Sequence, residues 1–498
     1  MRRIEETFAA LPLRELADAA LTRAAELGCA HADVRIQREL QARRSYRDRD
    51  LESSSDVASL GLSVRVVHDG VWGFAAGITL TADEAVRLAE RAVATARVSR
   101  PLTPHRVELA AEPVHEGSWV SAYDMNPFEV PEAERGARMQ ELIGRLLAAD
   151  GVSHTSAELD LVQENTYFAN LAGTRTTQQR IRQLPRFTAI SVTDAGFATM
   201  STVAPPVGRG WEYLSGTGWD FDAEIEQLPT LLAEHVAAPS VAAGHYDLVI
   251  DPTNLWLTIH ESIGHATELD RALGYEAAYA GTSFATVDRL GTLQYGSQVM
   301  TVTGDRVAEH GLATVGWDDE GVAAQQFDII RDGVLVGYQL DRQMAALRGL
   351  DRSNGCAYAD SAGHIPMQRM PNVSLQPGPA GPSTADLIGS VEHGIYVVGD
   401  KSWSIDMQRY NFQFTGQRFF RIENGRLAGQ LKDVAYQATT TDFWNSMEAV
   451  GGPETYVLGG ALNCGKGQPG QVAPVSHGCP SALFRGVNIL NTAAEGSL

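Results

Sequence analysis

Within LTIHESIGHATELD, residues 257–270, two histidines and a glutamate stand close together. A neutral imidazole is a zinc ligand, and a glutamate beside the first ligand can take a proton from water on the metal. Zinc lowers the pKa of such a water to about 7, which makes a hydroxide nucleophile available at neutral pH. His260 and His265 are therefore candidate ligands and Glu261 a candidate general base. The spacing is one residue longer than in H-E-x-x-H, whose histidines share a helix face at i and i+4. On a regular helix, residue i+5 points about 140° away from residue i. A π-type turn would realign the two rings, and Gly264 makes that distortion sterically cheap. The spacing thus predicts a distorted helix between Glu261 and His265. The plain alternative is two unrelated histidines on one helix.

Catalytic zinc sites usually have three protein ligands, so a third is expected. The chain has four cysteines, too few for a disulfide scaffold. Cys29 follows the first helix and reads as a buried thiol. Cys356 in SNGCAYAD and Cys479 in SHGCPSA lie in loop-like segments. Cys464 sits among glycines in LGGALNCGKGQPGQ, where the backbone can approach an ion closely. Lys466 could help keep a nearby thiol ionised. On these grounds Cys464 stands only slightly ahead of Cys356 and Cys479. Elsewhere, Asp318, Asp319 and Glu320 could hold a second ion or orient a histidine; an acidic turn in solvent is the plainer reading. His364 could assist a transition state, but a hydrogen-bonded loop histidine explains it as well. Arg43, Arg44, Arg47 and Arg49 read as a solvated strand face, and Trp72 and Phe74 as hairpin core.

The elements that must position these groups are mixed. Leu13, Leu16, Ala17, Ala20, Leu21, Ala24 and Leu27 recur at helical spacing, and Gly28 can end that helix. GLSVRVVHDGVWGFA, residues 61–75, alternates about Asp69-Gly70, a hairpin turn. Thr81 and Glu84 open a helix to about Arg97, and another runs from about Pro131 to Leu147. Residues 155–205 alternate as strands, with a turn near Asn170 to Gly173. Residues 234–245 form a linker candidate. DLVIDP is a short buried strand before the histidine helix. Further hairpins are expected at Asp332-Gly333 and Asn424-Gly425, and a loop at 372–383. The fold class is α+β, with an N-terminal α+β domain expected at 1–115, a central domain at 116–235, and a β-rich C-terminal domain at 236–498 carrying the candidate metal-binding helix.

A chain of 498 residues with a net charge of −21 repels phosphate backbones and anionic lipid, so direct nucleic-acid binding is not expected. No apolar run has signal-peptide or membrane-span length, and a cytoplasmic location without membrane contact is expected.

Several of these segments, in this order, resemble the TldD/PmbA peptidase family. His260 to His265 looks like its HExxxH signature. Gly61, Arg65, Val66, Gly70, Trp72, Gly73 and Phe74 match its N-terminal hairpin, and WDDEGV at 317–322 its D-D-E-G-V. Tyr358, His364, Pro366, Arg369, Met370 and Asn372 resemble its Y-A-H-x-P-x-x-R-M block, and Cys464-Gly465-Lys466 its C-G-K motif. The likeness is to the TldD type, which carries the metal motif. It implies Cys464 as the third ligand, Zn2+ as cofactor, and hydrolysis of short or unfolded peptides. It also implies paired subunits enclosing the site, either a homodimer or a heterodimer with a PmbA/TldE-type paralogue. Two departures bear on specificity rather than on the metal. Ser402, Trp403 and Arg409 replace small residues in GDKSWSIDMQRYNFQF, residues 399–414, and AYADSAGHIP loosens the Y-A-H spacing.

The leading reading is a metallopeptidase in which Glu261 relays a proton to the leaving amine and the peptide binds as an added strand. Its rivals are a non-catalytic subunit that holds peptides or scaffolds a partner, and a zinc hydrolase of a non-peptide amide.

Overall fold

The structure, a computed structural model, describes residues 2–194, 196–467 and 470–495. Its N-terminal half is built on one seven-stranded sheet. The order is Val71–Gly77, Asp50–His68, His31–Arg47, His154–Asn170, Arg175–Thr193 and Glu116–Val120, with Gly196–Ser201 also on Arg175–Thr193. Asp69 and Gly70 turn the first hairpin at φ 49° and 73°, a left-handed pair that Asp-Gly tolerates. Helices Leu13–Glu26 and Ala82–Ser99 cover one stretch of the sheet with alanine-rich faces. A Cβ on Gly73 would lie 1.9 Å from the carbonyl oxygen of Ala92, so this strand and helix meet backbone to backbone. Helices Glu132–Leu147 and Phe221–Ala237 cover the other stretch over a separate apolar cluster. His31–Arg47 pairs with His154–Asn170. The strand ladder therefore crosses residue 115, and the first two sequence segments share a sheet while keeping separate cores.

The C-terminal half is β-rich around the largest apolar cluster. Its main sheet runs His393–Ile405, Gly244–Ile250, Ala482–Asn491, Val434–Thr439, Asn411–Glu423 and Arg426–Leu431. His393–Ile405 also pairs with Asn411–Glu423, which closes five of these strands into a ring. Helix Pro252–Ile259 leaves the strand Gly244–Ile250 at once; Asp251 caps it by accepting the Thr253 N–H, and Pro252 opens the first turn. Among the described residues no helix is long and apolar enough to cross a membrane.

Local expectations need correcting at four places. Residues 234–237 are the last turn of Phe221–Ala237, because good helix formers continue the pattern until Pro239. Asn372–Leu375 is a strand paired with Val302–Asp305, not loop; the Pro- and Gly-rich stretch begins only after it. Trp72 and Phe74 alternate away from buried Val71 and Ala75 and stay half-buried. Trp72 instead lies under the Arg65 guanidinium, 4.4 Å from its ring centre, and donates to Gln343 across the halves. Nor is the Asp318–Glu320 turn in solvent: each residue is at most 5% exposed. Asp319 accepts from Arg35 at 2.9 Å and Glu320 from Arg65 at 3.0 Å, while Asp318 accepts the N–H groups of Glu320, Val322 and Ala357. Asp319 and Glu320 fasten the C-terminal half to the N-terminal sheet, and Asp318 holds the turn itself in shape.

Candidate metal centre

Helix Pro252–Ile259 gives way to a π turn over His260–Gly264 and then a 3-10 turn over His265–Thr267. The N–H of His265 bonds the carbonyl of His260, five residues back, so the rings that a regular helix would splay return to one side. Their centroids lie 4.7 Å apart. A π turn disturbs the usual carbonyl partners, and side chains serve here in their place. Tyr295 donates its hydroxyl to the Ser262 carbonyl, Thr267 to that of Ile263 and Gln339 to that of Gly264. Gly264 has ordinary right-handed torsions (φ −52°). It is needed for space instead, since a Cβ there would lie 2.5 Å from the Met370 sulfur.

Cys464 arrives from the strand Val457–Lys466, whose pairing with Gln471–Cys479 slips between Ala461 and Cys464. Such an irregularity re-aims the side chains beyond it. Ligand atoms of His260, His265 and Cys464 then lie within 4.8 Å of one another. All three residues and Glu261 are at least 94% buried.

Hydrogen bonds turn the candidate ligand atoms of both histidines inward. His477 donates Nδ1–H to the Val373 carbonyl at 2.8 Å, so its Nε2 is an acceptor. That Nε2 takes the Nδ1–H of His260 at 2.7 Å, which leaves the His260 Nε2 lone pair open. His265 donates Nδ1–H to Glu268 at 2.9 Å, and its Nε2 faces the Cys464 sulfur at 3.5 Å. Burial pushes His260, His265 and His477 below the usual imidazole range, so all three stay neutral. Burial would raise the Cys464 thiol, but the Arg369 charge, joined by that of His265 whenever His265 is protonated, outweighs it and brings it below its usual value. Burial pushes Cys356 up to about 12, and Cys479 well above the ordinary thiol range. Both are sealed neutral thiols away from this cluster. Two neutral imidazoles and one acidified thiol form a donor set that suits a zinc-like ion.

The surrounding shell was partly invisible in the sequence. Lys466 does not attend the thiol; its ammonium bonds Glu268 at 3.0 Å and Asp270 at 2.8 Å. Burial opposes Glu268's charge, yet Lys466, His265 and Arg271 hold its carboxyl well below the usual range. Arg369 donates to the Cys464 carbonyl. Glu268 lies three residues after His265, a spacing that could have flagged it; His477 gave no local signal. Glu261 is paired with Arg409 across the site. Of the remaining candidates, His364 is a loop histidine bonded to Asp360. Arg43 and Arg47 are solvated, whereas Arg44 is buried between Asp56 and Glu132.

Residues 32–96 match the model of PmbA/TldA metallopeptidase domain 1, and residues 243–491 that of the PmbA/TldA metallopeptidase C-terminal domain. The chain is 26% identical over 473 residues to a metalloprotease of Methanothermobacter thermautotrophicus, covering 93% of this chain and 96% of that one. It is 22% identical over 431 residues to a zinc metalloprotease TldD homologue of Saccharolobus solfataricus, covering 86% and 90%. The fold matches a Thermotoga maritima structure described as a candidate modulator of a DNA gyrase, with TM-score 0.77, 15% identity and coverage of 96% and 100%. It also matches TldE of Thermococcus kodakarensis, with TM-score 0.71, 15% identity and coverage of 94% and 98%.

Proposed function

The chain belongs to the PmbA/TldD metallopeptidase family, and from that premise we propose that it is a zinc-dependent peptidase acting on short or unfolded peptides. His260, His265 and Cys464 would hold the ion, and Glu261 is the general base. The observation that carries this reading is the π turn that gathers the ligand atoms of His260, His265 and Cys464 within 4.8 Å beside a carboxylate. A bound zinc ion supplies Lewis acidity, lowering the pKa of water and polarising a carbonyl.

The chain's own residues do the rest. Glu261 follows His260 directly and takes the proton of the attacking water, then returns it to the departing amine. Glu268 fixes the ring of His265 and His477 that of His260, so neither ligand reorients during a cycle. A peptide would lie along the Val457–Lys466 strand, which among the described residues pairs on one side only, and be held mainly by backbone hydrogen bonds. Assembly with a second copy or with a TldE-type paralogue is the quaternary arrangement we propose.

The test couples metal to turnover. Purified protein should carry about one zinc per chain, and chelation should abolish cleavage of a peptide panel, with zinc restoring it. Cys464→Ser should lose zinc, while Cys356→Ser and Cys479→Ser keep it. Active protein free of transition metal, or full zinc in Cys464→Ser, would refute the reading.

A further inference from the structure

The segment 399–414, where this chain departs from the resemblance noted above, reaches the candidate base through Arg409. Asp406 organises the turn: its carboxylate accepts the N–H groups of Gln408, Tyr410 and Asn411 and the side-chain amide of Asn411. Thr440 donates its hydroxyl to the Arg409 carbonyl and its N–H to that of Tyr410. From the other side Thr282 and Phe284 donate to the carbonyls of Met407 and Gln408. The backbone is therefore fixed, and Arg409 is held at φ 63°. A left-handed arginine costs on the order of 1–2 kcal/mol relative to ordinary torsions, and strain of this kind gathers at ligand clamps.

The side chain is much less committed than its backbone. Among the described residues the guanidinium donates to Glu261 alone, through Nη1, and its buried Nε has no partner. A guanidinium has five N–H groups and binds a carboxylate best through two parallel bonds. The nearby Arg271 and Arg369 also keep buried nitrogens without partners, but they are sealed, with at most 1% exposure. Arg409 keeps 14% of its side chain in contact with solvent, so a ligand from solution can reach it.

We propose that Arg409 is the receptor for a substrate carboxylate, the C-terminal carboxylate of a peptide, and that its ion pair with Glu261 is the resting arrangement this carboxylate replaces. The inference rests on the peptidase reading for its substrate class. Binding of a free-acid peptide transfers the guanidinium to the incoming carboxylate and frees Oε2 of Glu261 for the water. A peptide without that group leaves the pair closed. The enzyme would then favour bonds near a free C-terminus.

Three peptides test this: a free acid, its carboxamide, and a carboxamide ending in glutamate. Their binding to zinc-loaded Glu261→Gln protein is read by fluorescence anisotropy, which needs no turnover, and kcat/KM is compared on the unmodified chain. The free acid should bind about 10- to 100-fold more tightly than the carboxamide, the range for a hydrogen bond to a charged group. Adding Arg409→Gln should erase that preference. Arg409→Lys, a second variant should glutamine disturb folding, should keep only part of it. Equal binding of acid and carboxamide, or a preference that survives Arg409→Gln, overturns the proposal. Equal binding of free acid and glutamate carboxamide overturns the C-terminal assignment. If no peptide is cleaved yet the acid preference appears and vanishes with Arg409→Gln, the receptor stands and the peptidase reading fails.

Discussion

Two buried polar clusters lie in this molecule and differ in what they leave over. In the cluster around Asp33, Arg35, Arg65, Asp319 and Glu320, each carboxylate meets a guanidinium: Arg65 bridges Asp33 at 2.7 Å and Glu320 at 3.0 Å, and Arg35 holds Asp319. In the cluster around His260, His265 and Cys464, the outer atoms are just as firmly bonded, to His477 and Glu268, but the inner lone pairs converge without an acceptor's proton between the histidines. Burying a polar group without a partner is costly, so a native fold keeps such atoms where a ligand completes them. Guanidinium partners for every carboxylate of the first cluster mark the acidic turn as a fastening between the halves, although the buried Arg35 Nε has no partner, and the converging ligand atoms make the π turn the candidate binding site. In sequence the histidine motif stood out, while the acidic turn read more plainly as a turn in solvent.

The largest expected effect is at the second cluster. Glu261→Gln should lower turnover about 10²- to 10⁴-fold while zinc content is kept, because the base is lost and the ligands remain. Single-turnover kinetics with parallel metal analysis checks it; near-normal turnover would assign the base elsewhere. At the fastening the effect should fall on stability instead. Arg65→Met strands Asp33 and Glu320 in the interior and should cost about 3–5 kcal/mol in urea unfolding. Zinc per folded chain should not change. Loss of zinc from folded Arg65→Met would mean that the two clusters are one unit.

Acid should separate them further. Burial disfavours the charged forms of Asp33 and Glu164. Arg65 and His31 outweigh it for Asp33, and Arg180 and Arg182 for Glu164, so both carboxyls fall to about 2. Carboxyls depressed by folding contribute stability that is whole above their unfolded values of about 4 and is lost as pH falls through the folded values. Each should contribute about 2–3 kcal/mol at pH 7, disappearing mostly between pH 4 and 2. Urea midpoints across that range should fall steeply in the unmodified chain and less steeply in Asp33→Asn, whatever the starting stability of the variant. Identical slopes would show that Asp33 is not held in its ion pair.

Much of this was legible beforehand because the signals are local. Periodicity drew the helices near Leu13–Glu26 and Ala82–Ser99, and Asp-Gly and Asn-Gly pairs drew the hairpins at 69–70, 332–333 and 424–425. The five-residue histidine spacing forced the π turn, since no regular helix could bring those rings together. What stayed hidden depends on contacts far apart in the chain. Asp319 and Glu320 meet arginines 284 and 255 residues away, and a short acidic sequence carries no mark of such partners. The ring of strands depends on pairing His393–Ile405 with Gly244–Ile250. Arg409 was visible as a departure from a pattern, but its aim at Glu261 was not.

The smallest effect tests the hydrogen-bond logic of the metal cluster itself, at His477. This residue lies 217 positions from His260 and is fully buried. Its Nδ1–H is committed to the Val373 carbonyl, so its Nε2 can only accept, and His260 must present Nδ1–H outward and keep Nε2 bare. Trp256 lies nearly parallel to the His477 ring, 12° off at 6.2 Å, and limits its rotation. His477→Phe keeps an aromatic ring there but removes the acceptor. The His260 Nδ1–H then lacks a buried partner, and the ring gains by turning or by moving its proton to the ligand nitrogen. Zinc affinity should fall about 10- to 100-fold, the usual range for removing a group that orients a ligand. His477→Gln should recover part of that loss if its amide oxygen reaches the same proton. Competition against a chelator of known affinity reads the effect directly, and thermal melting of the metal-free proteins separates it from general destabilisation. If His477→Phe lowers Tm but leaves zinc affinity unchanged, His477 only packs, and the bare lone pair of His260 owes nothing to it.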